Sequence, residues 1–441
     1  LGRAQIEEVE QDPDVGRIYA DDIENVDMND SAVLTHRASA LWARGHTGNG
    51  AKVAILEDSR VYANFWLYNL VSTRLPGDPN MDNHATQCMG CVGSSHARRH
   101  GIARGASLYS ANATSYSTAN LQAAANWAVG EGVHIINNSW GPNNPTGCLS
   151  SLGMFFDYRV VTDAVLVTHS AGNSGDLMGD HAMAFNILAV GAIDDHNNPG
   201  WPDDSIASYS AWREGPSCSP SNGDREEPDV VAVGSKIRST RIHPPSIDSS
   251  NVQGTSYSAP FVAGEAALLI DIEPNLAWKP EAMRAIIMAS AVNNVQGSAR
   301  LSEYDGAGGI DAYSAYLEAL NGKFVQQTID PTTWTKTEYS EYVAAGDPIA
   351  CVVVWTSHPN ASYTSDPLLT DIDLKLINPS GTVVKTSASA YNSYEIVRTT
   401  AGQSGTWTCR AYKYISTGST WEYLGMAFDD AFQSTYGYPS N

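Results

Sequence analysis

Ser256 has the sequence surroundings of a catalytic nucleophile. It lies in Gly254–Pro260, which reads Gly-Thr-Ser-Tyr-Ser-Ala-Pro and directly precedes an apolar helix predicted over residues 261–270. Backbone N–H groups at a helix start can stabilise a developing oxyanion, and the glycine allows close backbone approach. Serine and threonine also cap helices very often, so a bare Gly-Thr-Ser fits an ordinary N-cap better. The full string is much rarer and makes Ser256 a candidate nucleophile.

His84 is the candidate general base among 11 histidines. A serine hydroxyl is a poor nucleophile at neutral pH and needs an imidazole to take its proton, with a third group to orient that imidazole. His84 opens a predicted helix of small and apolar residues, which would hold its ring at a helix start. A lone histidine in such a place is more often structural, so the assignment depends on the other motifs.

The elements that must position these residues follow an alternating pattern. From about Gly48 to Leu320, short β-branched or aliphatic runs alternate with helical patterns, which indicates βαβ units and an α/β fold with a mostly parallel sheet. Ligands collect beyond the carboxyl ends of such strands, so the residues that follow them deserve attention first. The predicted strands are Lys52–Leu56, Val133–Asn137, Val165–His169, Ile187–Gly191 and Asp229–Val233.

The pattern changes after Gly322. Helical periodicity disappears, and short strands with turn signals predict a small all-β sandwich or jelly roll, with strands at Ala350–Thr356, Asp371–Asn378, Ser393–Thr399 and Thr406–Tyr414. We therefore divide the chain into residues 1–35, 36–322 and 328–441. The first is an acidic segment that reads as a pro-segment remnant or a mature arm, the second is the α/β domain, and the third is the sandwich.

Three blocks of the chain, in order, resemble the subtilisin-like serine proteases. Lys52–Ser59 resembles the family's strand with its acid, His84–Thr86 its histidine block, and Gly254–Pro260 its serine block. Ile135–Gly141 and His169–Asn173 resemble the cleft strand and the oxyanion turn, and the likeness covers about residues 36–320. The resemblance implies a subtilisin-like α/β fold and a secreted serine endopeptidase.

The resemblance also implies roles for individual residues. Asn173 would donate its side-chain amide to the oxyanion together with the backbone N–H of Ser256, because a neutral donor fixed in advance suits that task. A Gly-Asn pair is also a common turn. The residues implied to border the pocket for the substrate side chain before the cut are Ser139, Trp140, Gly141 and Gly179.

The acid of the triad is ambiguous. An ungapped register places Glu57 at the usual aspartate position, whereas Asp58-Ser59 better matches an aspartate followed by serine or threonine. A glutamate can orient an imidazole, and an aspartate one residue later needs a bulge at the strand end. Because adjacent strand residues point to opposite faces, only one of Glu57 and Asp58 should reach His84.

Departures from the family pattern keep other functions open. Ala85 follows His84 where the family has glycine, and Arg60 stands where a glycine often follows the acid. The main alternative is therefore a catalytically silent subtilase-fold protein used for binding or as a scaffold. A weaker one makes the C-terminal sandwich a carbohydrate-binding or surface-binding adhesin that the protease releases.

Composition limits the partners. The chain has 48 acidic and 26 basic residues and a formal net charge of −22, which disfavours nucleic acid. It contains no apolar run of about 18 residues that could span a membrane. We expect a monomer acting on proteins or peptides, with no cofactor for the chemistry. Asp371 and Asp373, or Asp203 and Asp204, could supply oxygen ligands to a structural calcium, although solvated turn carboxylates are the better explanation of these residues.

Six cysteines fit a secreted protein with a few disulfides, and by count alone they fit a cytosolic enzyme equally well. Cys351 could pair with Cys409 in the sandwich, and Cys148 with Cys218 in loops of the α/β domain. Cys88 and Cys91 lie in the apolar helix after His84 and are expected to be buried thiols rather than a metal or redox pair, since no second such pair accompanies them.

Overall fold

The fold is that of a computed structural model, which describes residues 28–63, 67–96, 99–242, 246–247, 251–292 and 304–430. Of the predicted N-terminal segment, only helix α1 (Met28–Thr35) falls within these residues. The role proposed for residues 1–27 therefore concerns a segment outside the described part.

The α/β domain is built on a twisted, mostly parallel sheet. Its strands and the short ladders beside them are β1 (Lys52–Glu57), β2 (Leu70–Thr73), β3 (Ser95–His96), β4 (Arg99–His100), β5 (Ser107–Asn112), β6 (Ile135–Asn138), β7 (Leu166–Ser170), β8 (Leu188–Asp194), β9 (Ser205–Ile206), β10 (Val230–Val233), β11 (Thr240–Arg241) and β12 (Ser246–Ile247). Within the described residues the order is β10-β8-β7-β6-β1-β5-β2, all parallel, with β9 antiparallel to β8. The predicted α/β fold class is confirmed.

The sheet is buried on both faces, which explains why its strands are continuously apolar. Along β1, Val53 and Ile55 join one hydrophobic core, whereas Ala54 and Leu56 join the core on the opposite face. The covering helices are α2 (Ala38–Trp42), α3 (Asn83–Gly93), α4 (Thr118–Gly130), α5 (Ser151–Asp163), α6 (Thr255–Ile272), α7 (Pro280–Ser290) and α8 (Ala312–Asn321). Helix α6 runs beneath β6, β7 and β8, in the middle of the first core.

The C-terminal region is a sandwich of two antiparallel sheets. Its strands are β13 (Phe324–Ile329), β14 (Lys336–Val343), β15 (Pro348–Trp355), β16 (Thr370–Ile377), β17 (Val383–Ser387), β18 (Tyr394–Thr400), β19 (Gly405–Ser416) and β20 (Glu422–Asp429). In the described part, one sheet has the order β13-β20-β15-β18 and the other β14-β19-β16-β17. The first strand begins at Phe324, four residues before the predicted boundary near Thr328.

The sandwich packs tightly against α7. Val352 and Val354 of β15 belong to the core of the α/β domain, while Cys351, Val353 and Trp355 of the same strand face the interior of the sandwich. Strand β20 approaches so closely that a Cβ at Gly425 would lie 2.3 Å from the carbonyl oxygen of Glu281. The two units therefore share a core.

Both cysteine pairings expected from the sequence are present. Cys148 is bonded to Cys218, and Cys351 on β15 is bonded to Cys409 on β19, which ties the two sheets of the sandwich together. Cys88 and Cys91 are buried thiols, as expected. Among the described residues, neither acidic pair suggested for calcium gathers a third Asp, Glu, His or Cys within metal-sharing distance, so calcium binding stays a prediction.

Candidate active site

Three elements bring the candidate triad to the carboxyl edge of the sheet. Strand β1 ends at Glu57, and α3 and α6 each begin one residue before His84 and Ser256. The start of α3 is fixed by its N-cap, because Asp82 Oδ1 accepts the backbone N–H of His84 at 3.1 Å. The start of α6 needs a glycine, since Gly254 has a φ of 145°.

Glu57, and not Asp58, contacts the histidine. His84 Nδ1 lies 3.4 Å from Glu57 Oε2, and the glutamate side chain is only 1% exposed. Asp58 is half-buried and interacts with the hydroxyl of Tyr116 rather than contacting the histidine. Burial and the charge of Glu57 raise the pKa of Asp58 above its ordinary value. In the ungapped register, the longer acid, Glu57, therefore reaches the imidazole without a β-bulge.

The electrostatics of His84 suit a general base held by a carboxylate. Burial on its own lowers the pKa of the imidazole, but the charge of Glu57, its hydrogen bond and the nearby Asp82 and Asp58 outweigh burial and raise that pKa. The ring also stands edge-on to Tyr257, with centroids 5.7 Å apart.

Ser256 lies in the first turn of α6 in an unusual hydrogen-bond setting. Pro260 has no N–H, so the carbonyl of Ser256 lacks its ordinary helical donor. That carbonyl instead accepts from Ser139 Oγ at 2.8 Å and from Cys88 Sγ at 3.4 Å. In return, Ser256 Oγ donates to the carbonyl of Ser139 at 2.8 Å. The O–H bond must therefore turn away from this carbonyl before the hydroxyl can donate to His84.

The side-chain amide of Asn173 is held in one orientation. Its Oδ1 accepts from the backbone N–H of Thr255 at 2.9 Å and from Thr255 Oγ1 at 3.1 Å. Since both of these groups are donors, the oxygen faces Thr255 and the Nδ2 amide is left to point elsewhere. The turn is tied further because Gly172 donates its N–H to Thr255 Oγ1 at 3.2 Å. The arrangement offers a fixed donor beside Ser256, whose own N–H has no carbonyl to pair with in a first helical turn.

The residues expected to border the substrate pocket lie around the ends of β6 and β7. Trp140 is 7% exposed and donates its indole N–H to the carbonyl of Leu56 at 2.9 Å. Gly179 donates its N–H to Ala171, and a Cβ there would lie 3.4 Å from that carbonyl oxygen and 3.8 Å from Pro142 Cδ. Ser139 contacts Ser256 as described above, and Gly141 is exposed beside them.

Sequence reasoning missed several groups at this site. The indole of Trp140 packs on His169 and His181, with ring centroids 5.1 and 5.5 Å away. Burial and the neighbouring His181 lower the pKa of His169 to about 3, so its ring is neutral. Tyr116 and Thr255 were also missed as contributors. Thr255 and His169 fall inside strings that the sequence singled out, but no role was predicted for them. No local motif marks Tyr116 or His181, because their contacts join parts of the chain far apart in sequence.

Glu57, His84 and Cys88 place donor atoms within 4.8 Å of one another, and they form the one such group among the described residues. A thiol binds metal as the thiolate. Burial and the charge of Glu57 raise the pKa of Cys88 well above its usual range, and its thiol donates to a carbonyl. The chemistry of the group therefore fits a proton-transfer site rather than a metal centre.

A parallel α/β sheet that carries a carboxylate at a strand end, a histidine and a serine at two helix starts and a fixed amide defines a subtilisin-like hydrolase. Residues 48–308 match the profile of the Subtilase family, and the chain belongs to this family of serine proteases.

The similar curated proteins are also named as proteases. Serine protease AprX of Bacillus subtilis (strain 168) is 31% identical over 56% of this chain and 63% of its own length. Subtilisin Savinase of Lederbergia lenta is 29% identical over 54% of this chain and 83% of its own. The chain thus spans less than two thirds of AprX. The solved structure of the prenylagaramide maturation protease PagA has a TM-score of 0.51 at 23% identity, covering 64% of this chain and 98% of PagA, and it supports the fold. In the part of the chain described, no helix is long and apolar enough to cross a membrane.

Proposed function

We propose that this chain is a serine endopeptidase that cleaves proteins or peptides with Ser256 as nucleophile, His84 as general base and Glu57 as the acid. The observation that carries the proposal is the contact of Glu57 Oε2 with His84 Nδ1, 3.4 Å long, at the strand end that faces the start of the Ser256 helix. This contact supports a working acid and so argues against one of the two motives for a silent scaffold, the altered acid block; the other motive, Ala85 after His84, stays open.

The reaction would proceed by acyl transfer. After rotation, Ser256 Oγ attacks the peptide carbonyl carbon while its proton passes to His84 Nε2. The oxyanion is stabilised by Asn173 Nδ2 and the N–H of Ser256. Collapse of the intermediate breaks the C–N bond, and His84 gives its proton to the leaving amine. A water molecule then attacks the acyl-enzyme in the same way, with His84 again as the base, and the carboxylic acid product leaves. Subtilases need no cofactor for this chemistry.

The histidine sets the pH dependence of the reaction. Only the neutral imidazole can accept the serine proton, and the acidic neighbours raise the pKa of His84. We therefore expect kcat/KM to fall as the pH drops through a value above the ordinary histidine pKa, giving an enzyme that works best on the alkaline side.

The two disulfides support a location in an oxidising compartment, and we propose that the protein acts outside the cell. Membership of the Subtilase family supports protein or peptide as the substrate class, and the strong negative charge disfavours nucleic acid. Ser139, Trp140, Gly141 and Gly179 are proposed to border the pocket for the residue before the cut.

Hydrolysis of a denatured protein tests the proposal. The wild type should cleave it, and Ser256→Ala should lose about 10⁶-fold in turnover. Ser258→Ala is the matched control, because Ser258 lies two residues further along the same helix, is fully buried and has no proposed role. Equal proteolysis by wild type and Ser256→Ala would reject Ser256 as the nucleophile.

A further inference from the structure

Tyr116 contacts the acid of the proposed triad, although no sequence motif marks it. Its hydroxyl donates to Glu57 Oε2 at 2.9 Å, which is the same oxygen that lies 3.4 Å from His84 Nδ1. Glu57 Oε1 is buried and has no hydrogen-bond partner among the described residues. The tyrosine therefore provides the shorter of the two polar contacts made by this oxygen.

The loop that carries Tyr116 is built to hold it in place. The loop joins β5 to α4, and Ser117 caps the helix by accepting the N–H of Asn120. The side-chain amide of Asn120 reaches back to Thr114 Oγ1 at 3.2 Å and to Ser115 Oγ at 2.8 Å. Thr114 has a φ of 68°, which a β-branched residue rarely adopts. The hydroxyl of Tyr116 is thus presented by a hydrogen-bonded loop.

A glutamate has a particular need for such a partner. Its side chain has one more rotatable bond than that of aspartate, so its carboxylate can adopt more orientations at the end of β1. Glu57 Oε2 must face His84 Nδ1 to keep the imidazole in the required tautomer. A second donor fixed by the protein restricts the carboxylate to that orientation.

We propose that Tyr116 is a positioning residue that holds the Glu57 carboxylate against His84. The proposal rests on the proposed function, since it takes Glu57 as the acid. Tyr116 is 50% exposed, and its ring centroid lies 6.0 Å from that of Trp140, beside the proposed substrate pocket. One side chain therefore reaches from the wall of the cleft to the acid.

The charges around the pair keep the phenol a donor. Asp58 at the strand end also interacts with the Tyr116 hydroxyl. Asp82 and Cys88 face Glu57 and His84 from the start of α3, and Tyr257 faces His84 from α6. Burial and the charges of Glu57 and Asp58 raise the pKa of Tyr116. The hydroxyl consequently stays protonated, and so remains a donor, at neutral pH.

Tyr116→Phe removes the hydroxyl and keeps the ring. We expect kcat to fall about tenfold and KM to stay within about twofold. The acid limb of kcat/KM should move down by about half a pH unit, because a carboxylate that is free to leave His84 Nδ1 stabilises the imidazolium less. The melting temperature should stay within about 2 °C. Tyr158→Phe, at a half-buried tyrosine of α5, is the matched control and should leave kcat and the pH profile unchanged.

A double-mutant cycle tests whether Tyr116 acts through Glu57. In a Glu57→Asp background the carboxylate is withdrawn from the phenol, so Tyr116→Phe should change kcat less than about twofold. Equal losses in both backgrounds, a rise in KM with kcat unchanged, or an unshifted acid limb would overturn the proposal. Failure of the proposed function looks different, because the wild type itself would then not hydrolyse protein.

Discussion

At the residue scale, the direction of one side chain at the end of β1 decides which carboxylate contacts His84. Glu57→Gln should reduce kcat by about 10³- to 10⁴-fold, because the amide cannot stabilise the imidazolium or hold its tautomer. The same change removes the charge that raises the pKa of His84, so the residual activity should have its acid limb at lower pH.

Asp58→Asn is the matched control for this test. It should leave kcat within about threefold, since Asp58 does not contact His84. Steady-state kinetics on the two variants separates the candidates. A large loss in Asp58→Asn with little change in Glu57→Gln would mean that the acid and the register have been misassigned.

The sequence predicted the types and order of the site residues, but not how they are held. The rarity of the string around Ser256 pointed to that residue from sequence alone, and His84 followed from its place among the other motifs. The choice between Glu57 and Asp58 remained open because it depends on strand register at a single residue. The contact of Tyr116 could not be foreseen, since it joins a loop tip to a strand 59 positions earlier in the chain.

At the element scale, the proposed oxyanion site depends on the tie between the β7 exit and the start of α6. Thr255→Val keeps the shape of the side chain but removes the hydroxyl that binds Asn173 Oδ1 and accepts from Gly172. We expect kcat to fall about tenfold, less than the 10²- to 10³-fold expected for Asn173→Ala, because the backbone N–H of Thr255 still holds the amide.

Thr255→Ser retains the hydroxyl and is the control for that experiment. Its kcat should stay close to that of the wild type. If Thr255→Val also has wild-type kcat, the side-chain tie contributes nothing to the reaction.

Strand positions followed well from the apolar runs, because strands buried on both faces leave a continuous signal. Helix α6 was predicted only from Phe261, whereas it begins at Thr255. Pro260 hid its first turn, since a proline inside a helix normally ends or kinks it. Here Ser139 and Cys88 donate to the carbonyl that proline leaves unpaired.

At the scale of the whole molecule, the contacts of the sandwich predict that it folds together with the α/β domain. Arg398 of β18 donates to the carbonyl of Ala307 at 2.6 Å, of Met288 at 3.0 Å and of Ala291 at 2.9 Å. Arg398→Ala would leave these buried carbonyls without their donor. It should lower the free energy of unfolding by about 2 kcal/mol or more.

Arg410→Ala is the matched control, because Arg410 is an exposed arginine of the same sandwich paired with Glu338. It should cost no more than about 1 kcal/mol. Denaturant unfolding of both variants measures the difference. Equal stabilities would show that the interface contributes little and that the sandwich can be treated as separable.

The sequence predicted a second domain but not its attachment. Both faces of β15 are apolar, as in any strand buried on two sides. Nothing local reveals that Val352 and Val354 complete the core of the α/β domain. A sheet docked on a helix and a sheet of a free sandwich have the same sequence pattern, so the pattern does not identify α7 as the partner surface.

The most direct test of the central claim is the mass of the intact protein after treatment with a fluorophosphonate, which reacts with activated serines. The account predicts one adduct on the wild type, located on Ser256 by peptide mapping, and none on Ser256→Ala. Folded wild-type protein that gains no adduct, with or without calcium, would contradict the account and favour a catalytically silent member of the family.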